Sequence, residues 1–244
     1  MLSAHPLVAT LLIALLPALG MILGVLLAEW RRPSDRMTGA ALHMAAGIAT
    51  AVAAIELLPR AQERSATWVI AIALLAGAAV SVVLFRLSNR WLAGEGDKPL
   101  VWGAYMAMAV DLTSDGLMTG AGSAVEGGLG LLLALSQIIG NLPGGFAVTA
   151  GFRKAGLPRR KRMLAAISYP VIPLVAAATG FLVLDGAGPS LTGFVLALFA
   201  GLLITTTIED LVPEADQAGA PRRISSPAYA AGFAVLLLMS AYLG

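Results

Sequence analysis

Apolar residues fall along this chain in eight long runs, roughly 6–29, 37–58, 66–87, 99–122, 128–152, 163–184, 189–211 and 226–243. A helix needs roughly 20 such residues to cross the hydrocarbon core of a bilayer, so each run is close to or above that length. Charge, glycine and proline separate them at Arg31-Arg32-Pro33-Ser34-Asp35, Pro59-Arg60, Gly94-Glu95-Gly96-Asp97, Gly127-Gly128, Gly156-Leu157-Pro158 and Gly219-Ala220-Pro221. The pattern predicts an all-α polytopic membrane protein, a single transmembrane domain over 1–244 with short linkers. No Lys or Arg precedes Arg31, so the first run lacks the charged start of a signal peptide and reads as a true span.

Composition agrees. The chain is 58% hydrophobic and 12% charged, against about 25% charged in ordinary globular domains. Its 27 glycines suit close helix contact in lipid, and the absence of cysteine removes disulfides and thiolate metal sites. A formal charge of +2 with scattered basic residues excludes a nucleic-acid footprint. Those basic residues are distributed unevenly. Arg31, Arg32 and Arg36, Arg86, Arg90 and Lys98, the Arg153–Arg162 group, and Arg222 with Arg223 occupy alternate loops, and only Arg60 and Arg64 lie on the other side. The positive-inside rule then places both termini outside the cytoplasm, with the protein in the cell inner (plasma) membrane.

Two carboxylates interrupt the fourth run. Asp111 and Asp115, with Ser114 between them, stand near the middle of 99–122 and share a helix face at i and i+4. A charge there costs about 2.5–3.5 kcal/mol on insertion scales, so such a pair implies that a cation or a proton passes it. The fifth run holds Asn141-Leu142-Pro143-Gly144-Gly145 at its centre, with Gln137 one turn earlier. Proline has no N–H, so Pro143 is expected to break this helix and free the Ile139 carbonyl. Pro170 and Pro173 should likewise free the carbonyls of Ala166 and Tyr169. Asp111, Asp115 and Asn141 form the expected substrate site, with Gln137, Ser114, His43 and Glu209 as further candidates.

The chain also repeats itself. Ala46-Gly47 followed by Glu56-Leu57-Leu58-Pro59 matches Ala200-Gly201 followed by Asp210-Leu211-Val212-Pro213 at an offset of 154, and Ser114–Leu117 matches Pro143–Phe146 at 29. Paired runs point in opposite directions, which predicts an inverted 3+2+3 arrangement of eight transmembrane helices with substrate held near the midplane. Glu56 and the Glu209-Asp210 pair fall near run ends and are expected as solvated rim charges. Met106, Met108 and Met118 read as gap-filling core, and His5 and Glu126 as surface.

With these residues laid out, the chain resembles the Zrt/Irt-like (ZIP) family of divalent metal transporters over essentially its whole length. Asp111-Leu112-Thr113-Ser114-Asp115-Gly116 falls on the family's fourth-span His-Asn-x-Pro-Glu-Gly motif. Gly140-Asn141-Leu142-Pro143-Gly144-Gly145 falls on the similar fifth-span motif. His43–Gly47 through Glu56–Pro59 resembles its second span, and Glu209–Glu214 its seventh. The resemblance implies a metal site on the fourth and fifth helices. Leu112, Gly140, Gly144 and Ile172 stand where further ligands would be, so it implies a single ion per cavity rather than a binuclear centre.

The expected function is therefore transport of one divalent cation, Mg²⁺, Mn²⁺, Zn²⁺ or Cd²⁺, with oxygen donors favouring the first two. The competing reading is a ZIP-fold protein that carries an organic or proton-coupled substrate, or acts as a sensor or partner protein. No nucleophile and base can be paired, so an enzyme is not expected, nor a resident cofactor. Expected partners are the lipid bilayer, the small cation and a second copy in a homodimer. The topology is open to test by placing cysteine at Ser34 and Ser123. In intact cells an impermeant thiol reagent should label position 123 and spare position 34, and the reverse pattern would invert the orientation.

Overall fold

The computed structural model describes residues 6–30, 34–92 and 97–243, and the side chains of 88–104, 107, 147, 154 and 243 lie outside that description. His5, Arg31, Arg32, residues 94–96 and the Arg90 and Lys98 side chains are therefore outside it. Among the described residues all regular structure is helical. The first apolar run is α1 (Pro6–Ile13) with α2 (Leu15–Trp30). The second is α3 (Asp35–Ala51), a π-helical segment Val52–Leu57 and α4 (Leu58–Gln62). Next come α5 (Thr67–Leu92), α6 (Asp97–Val125) and α7 (Gly127–Lys154). The sixth run is α8 (Arg159–Ser168) with α9 (Val171–Leu184). The seventh is α10 (Pro189–Thr206), a second π segment Thr207–Leu211 and α11 (Val212–Gln217), and α12 (Arg222–Leu243) closes the chain. Among the described residues seven helical segments are long and apolar enough to cross a membrane. The remaining run, α6, is a 29-residue helix.

The two π segments change the expected boundaries. Runs two and seven continue to Gln62 and Gln217, past the expected ends at 58 and 211. Pro59 and Pro213 cannot donate the i+4 bond, and a π turn lets the helix pass them by reaching one residue further. The equivalent bonds are observed: Leu58 N–H reaches the Ala53 carbonyl, and Val212 N–H reaches that of Thr207. Glu56 consequently sits buried inside a helix long enough to cross a membrane and not on a rim, whereas Glu209 and Asp210 lie on the second π segment with Asp210 exposed.

Two further expectations concern the fifth and sixth runs. Pro143 lies within an unbroken α7, so the expected break is absent, while proline still offers no N–H to the Ile139 carbonyl. The sixth run does break at Tyr169-Pro170, but its carbonyls are paired again: Tyr169 N–H bonds to Ala166 O at 3.4 Å, and Ile172 N–H to Tyr169 O at 3.0 Å. Helix ends are closed conventionally, with Ser34 Oγ accepting from Met37 N–H at the start of α3. Gly156 and Gly219 stop α7 and α11 at positive φ of 69° and 74°.

Glycine sets how the helices meet. A Cβ on Gly47 of α3 would lie 2.0 Å from the Tyr229 carbonyl of α12, and one on Gly232 the same distance from that of Met44. On α10, a Cβ on Gly201 would lie 2.0 Å from the Leu74 carbonyl of α5, and one on Gly77 1.9 Å from that of Leu198. The second pair of contacts repeats the first at offsets of 154 and 155. Gly116 against the Pro173 carbonyl of α9 and Gly145 against the Met21 carbonyl of α2 are related in the same way. The most extensive packing follows these contacts: α3 with α12 and α5 with α10 in one group, α2 with α7 and α6 with α9 in the other.

Backbones this close leave no room for a methyl group. Gly47→Ala and Gly201→Ala should each lower thermal stability in detergent by about 1–3 kcal/mol, the usual cost of overpacking. Gly188→Ala, where nothing lies within 4 Å, should be neutral. Equal behaviour of all three would show that these contacts do not limit helix approach.

Candidate functional site

The α6–α7 contact positions the acidic pair. Asn141 Nδ2 donates to Asp115 Oδ2 at 2.6 Å and to the Pro17 carbonyl of α2 at 3.2 Å. Gln137 Nε2 donates to the Asp115 backbone carbonyl at 3.3 Å, while its Oε1 accepts from Thr119 Oγ1 at 2.9 Å. Both ends of the Gln137 amide are thus spent on joining the two helices. Asp115 and Asn141 are each 6% exposed, and among the described residues nothing donates to Asp115 Oδ1 or to Asp111.

Asp111 and Asp115 line two adjoining cavities, of about 310 Å³ and 130 Å³. The larger also takes Asn141, Gln137, Gly140 and Gly144 from α7, and Asp210 and Glu214 from the seventh run. The smaller takes Ser114, Ser81, Glu209 and again Asp210. Asp111, Asp115 and Asp210 therefore stand on the wall that the two cavities share. The larger cavity reaches Leu42, two turns into α3, Val148 near the end of α7, and Glu214 near the end of α11.

The opposite end is sealed. Met118 and Leu133 close the larger cavity and belong to an apolar cluster with Leu57, Ala61, Leu129 and Leu196. Behind that cluster Arg60 bonds to the carboxylate of Glu56, which is 1% exposed, and its Nε lies 3.6 Å from Glu126 at the start of α7. Glu126 itself is exposed. A second ionic cluster, Glu29 with Arg153 and Arg162, lies near the other end: Arg162 Nε to Glu29 Oε1 is 2.6 Å and Arg153 Nη2 to Oε2 is 3.3 Å.

His43 stands apart from both cavities. Its Nδ1 bonds to the Gly39 carbonyl at 2.8 Å and its Nε2 lies 3.4 Å from Asp216, which makes it a bridge between α3 and α11. Asp210 and Glu214, read as rim charges or left unremarked in the sequence, line the main cavity. The offset of 154 offered the signal that would have found them, because it places Pro213 in a proline-bearing span whose helix must continue past it.

No family model and no curated protein matches the chain. What the site can do is set by its own side chains. Four carboxylates face one cavity from α6 and from the seventh run, so its interior favours positive charge. Among the described residues no three histidine, cysteine or acidic side chains converge closely enough to hold a metal ion together.

The seal yields a prediction. Arg60→Met would leave Glu56 buried without its partner, which costs about 3–5 kcal/mol. The double variant Glu56→Leu/Arg60→Met should recover most of that loss in a thermal melt. A double variant no more stable than Arg60→Met alone would exclude this pairing as the cause.

Proposed function

We propose that this protein is a ZIP-like membrane transporter that moves a divalent cation past Asp111, Asp115 and Asn141. It spans the inner membrane eight times in an inverted 3+2+3 arrangement, with the basic loops in the cytoplasm and both termini outside. The observation that carries this reading is the acidic wall common to two cavities inside a bundle of membrane-crossing helices. A cation passing between those cavities meets Asp111, Asp115 and Asp210 in turn. The repeated glycine contacts support the inverted repeat, because helices exchanged by such a repeat must pack through equivalent residues.

The packing also supports a mechanism. The group that holds α2, α6, α7 and α9 carries Asp111, Asp115 and Asn141, whereas the group built on α3, α5, α10 and α12 adjoins Asp210 and Glu214. Movement of one group against the other would open the sealed end and close the cavity end, so the site would face each side alternately.

Asp115→Asn removes the most buried charge at the site and keeps its shape. In proteoliposomes at equal reconstitution, divalent cation uptake should fall about tenfold or more, the effect of losing a contact worth about 1.4 kcal/mol or more. Asp111→Asn should be the milder change, because Asp115 alone is tied to Asn141. Folding should survive both, since removing a charge from the membrane interior lowers the insertion cost. Unchanged flux in the Asp115 variant would sink this site assignment.

A further inference from the structure

Charge surrounds the larger cavity without converging on one point. Asp111, Asp115, Asp210 and Glu214 all line it, yet among the described residues no three such groups come close enough to share an ion. Direct ligation of Mg²⁺ or Ca²⁺ needs several oxygens at about 2.0–2.6 Å from one centre. The donors on α7 are also largely committed, with Gln137 engaged at both ends and the Asn141 nitrogen bonded to Asp115 and Pro17. What remains free is one oxygen of Asp115, a side chain more than nine-tenths buried, together with the Asp111 carboxylate and the Asn141 oxygen.

The wall formed by α7 is bare at two positions. A Cβ on Gly140 would have nothing within 4 Å, and one on Gly144 would meet only the tip of Met108, with Cε at 2.6 Å and Sδ at 4.0 Å. The cavity of about 310 Å³ exceeds the roughly 180 Å³ taken by six waters at about 30 Å³ each. A bare ion would touch one flank of this space and leave the rest to solvent. An ion that keeps its shell fits within this space and reaches further across it, so that its waters can donate to carboxylates of both α6 and the seventh run.

We infer that the substrate is a strongly hydrated divalent cation of the Mg²⁺ class, held at the Asp111–Asp115 wall through its water shell and not by direct ligation. This rests on the transport reading above and narrows it. Mg²⁺ dehydrates reluctantly, so a site that leaves the shell in place avoids that cost. A softer ion that prefers imidazole or thiolate finds neither among the described residues of this wall, since the chain has no cysteine and His43 is bonded elsewhere; the only sulfur lining the described cavity is the thioether of Met108 and Met118.

Hexaamminecobalt(III) is a suitable probe, because it matches a hydrated Mg²⁺ ion in size and does not exchange its ligands during an uptake assay. Mg²⁺ uptake by proteoliposomes of the full chain is measured against increasing probe, with Mn²⁺ and Zn²⁺ uptake measured alongside. The probe should compete with Mg²⁺, and Asp115→Asn should raise the concentration needed by about tenfold, as for loss of one charged contact. Gly140→Leu, which fills open space, should lower both Mg²⁺ uptake and competition while the protein keeps its thermal stability. Mg²⁺ uptake that the probe leaves unaffected would overturn the hydrated-ion inference and leave the transport reading standing. Absence of uptake for all three ions in well-folded protein would overturn the transport reading, and this inference with it.

Discussion

Within hydrocarbon no water can take up a backbone carbonyl that its helix releases, and this constraint shapes every irregularity in the protein. The chain carries prolines in six of its apolar runs beyond the first few residues of the helix or the run's end: Pro17, Pro59, Pro143, Pro170 with Pro173, Pro213, and Pro227 within α12. At Pro59 and Pro213 the helix shifts into a π turn and continues. At Pro170 it breaks, and i+3 bonds collect the loosened carbonyls. At Pro143 it runs straight on. Even the Pro17 carbonyl finds a donor, the Asn141 amide. Around Pro59, Pro170 and Pro213 the backbone thus finds partners within its own run, and the main cavity wall carries side-chain oxygens of Asp111, Asp115, Asp210 and Glu214. Carboxylates there set the chemistry because little else is left to compete with them.

The same economy explains the glycines. Helices in lipid gain little from hydrophobic burial against one another, so close backbone approach supplies much of the attraction. Gly47, Gly201, Gly77 and Gly232 each face a carbonyl on the neighbouring helix at a distance only a hydrogen can tolerate. These contacts lie within each group of helices. Between the groups lie the cavities, the acidic wall and the Arg60–Glu126 approach. Tight glycine seams inside each group and a polar, partly open seam between them is the distribution expected where groups are rigid and their mutual packing can change.

The sequence was a good guide to elements and a poorer one to where those elements end. Among the described residues seven of the eight apolar runs reappear as helices long and apolar enough to cross a membrane, because apolar length is a direct consequence of the solvent they occupy. Proline misled in both directions. Read as a breaker, Pro143 suggested a freed carbonyl in the fifth run, whereas a π turn at Pro213 carried the seventh run far enough to bring Asp210 and Glu214 into the bundle. Neither outcome follows from local propensity, since both depend on whether a neighbouring helix leaves room for the detour. Asp111, Asp115 and Asn141 could be placed together because spacing on one helix and offset between two are countable. Gln137 and His43 could not be sorted in this way: both are buried polar groups, and only their partners, Thr119 for one and Asp216 for the other, reveal structural ties.

The asymmetry of the cavity gives these parts a direction. Toward Leu42, Val148 and Glu214 the lining of the larger cavity includes a further carboxylate, that of Glu214. At the other end Met118 and Leu133 abut a dry cluster, with Arg60 behind it. Opening that end would require separating apolar surface and parting Arg60 from Glu126, whose exposed side chain makes the tie a weak one. Arg60 would keep Glu56, its buried partner on the same helix, so no bare charge would be left in the membrane. A gate whose cation is already neutralised within its own helix can open at the cost of the apolar seal alone. On the transport reading proposed above, a cation beside the acidic wall would help to meet that cost by drawing the carboxylates of the two groups together around its shell.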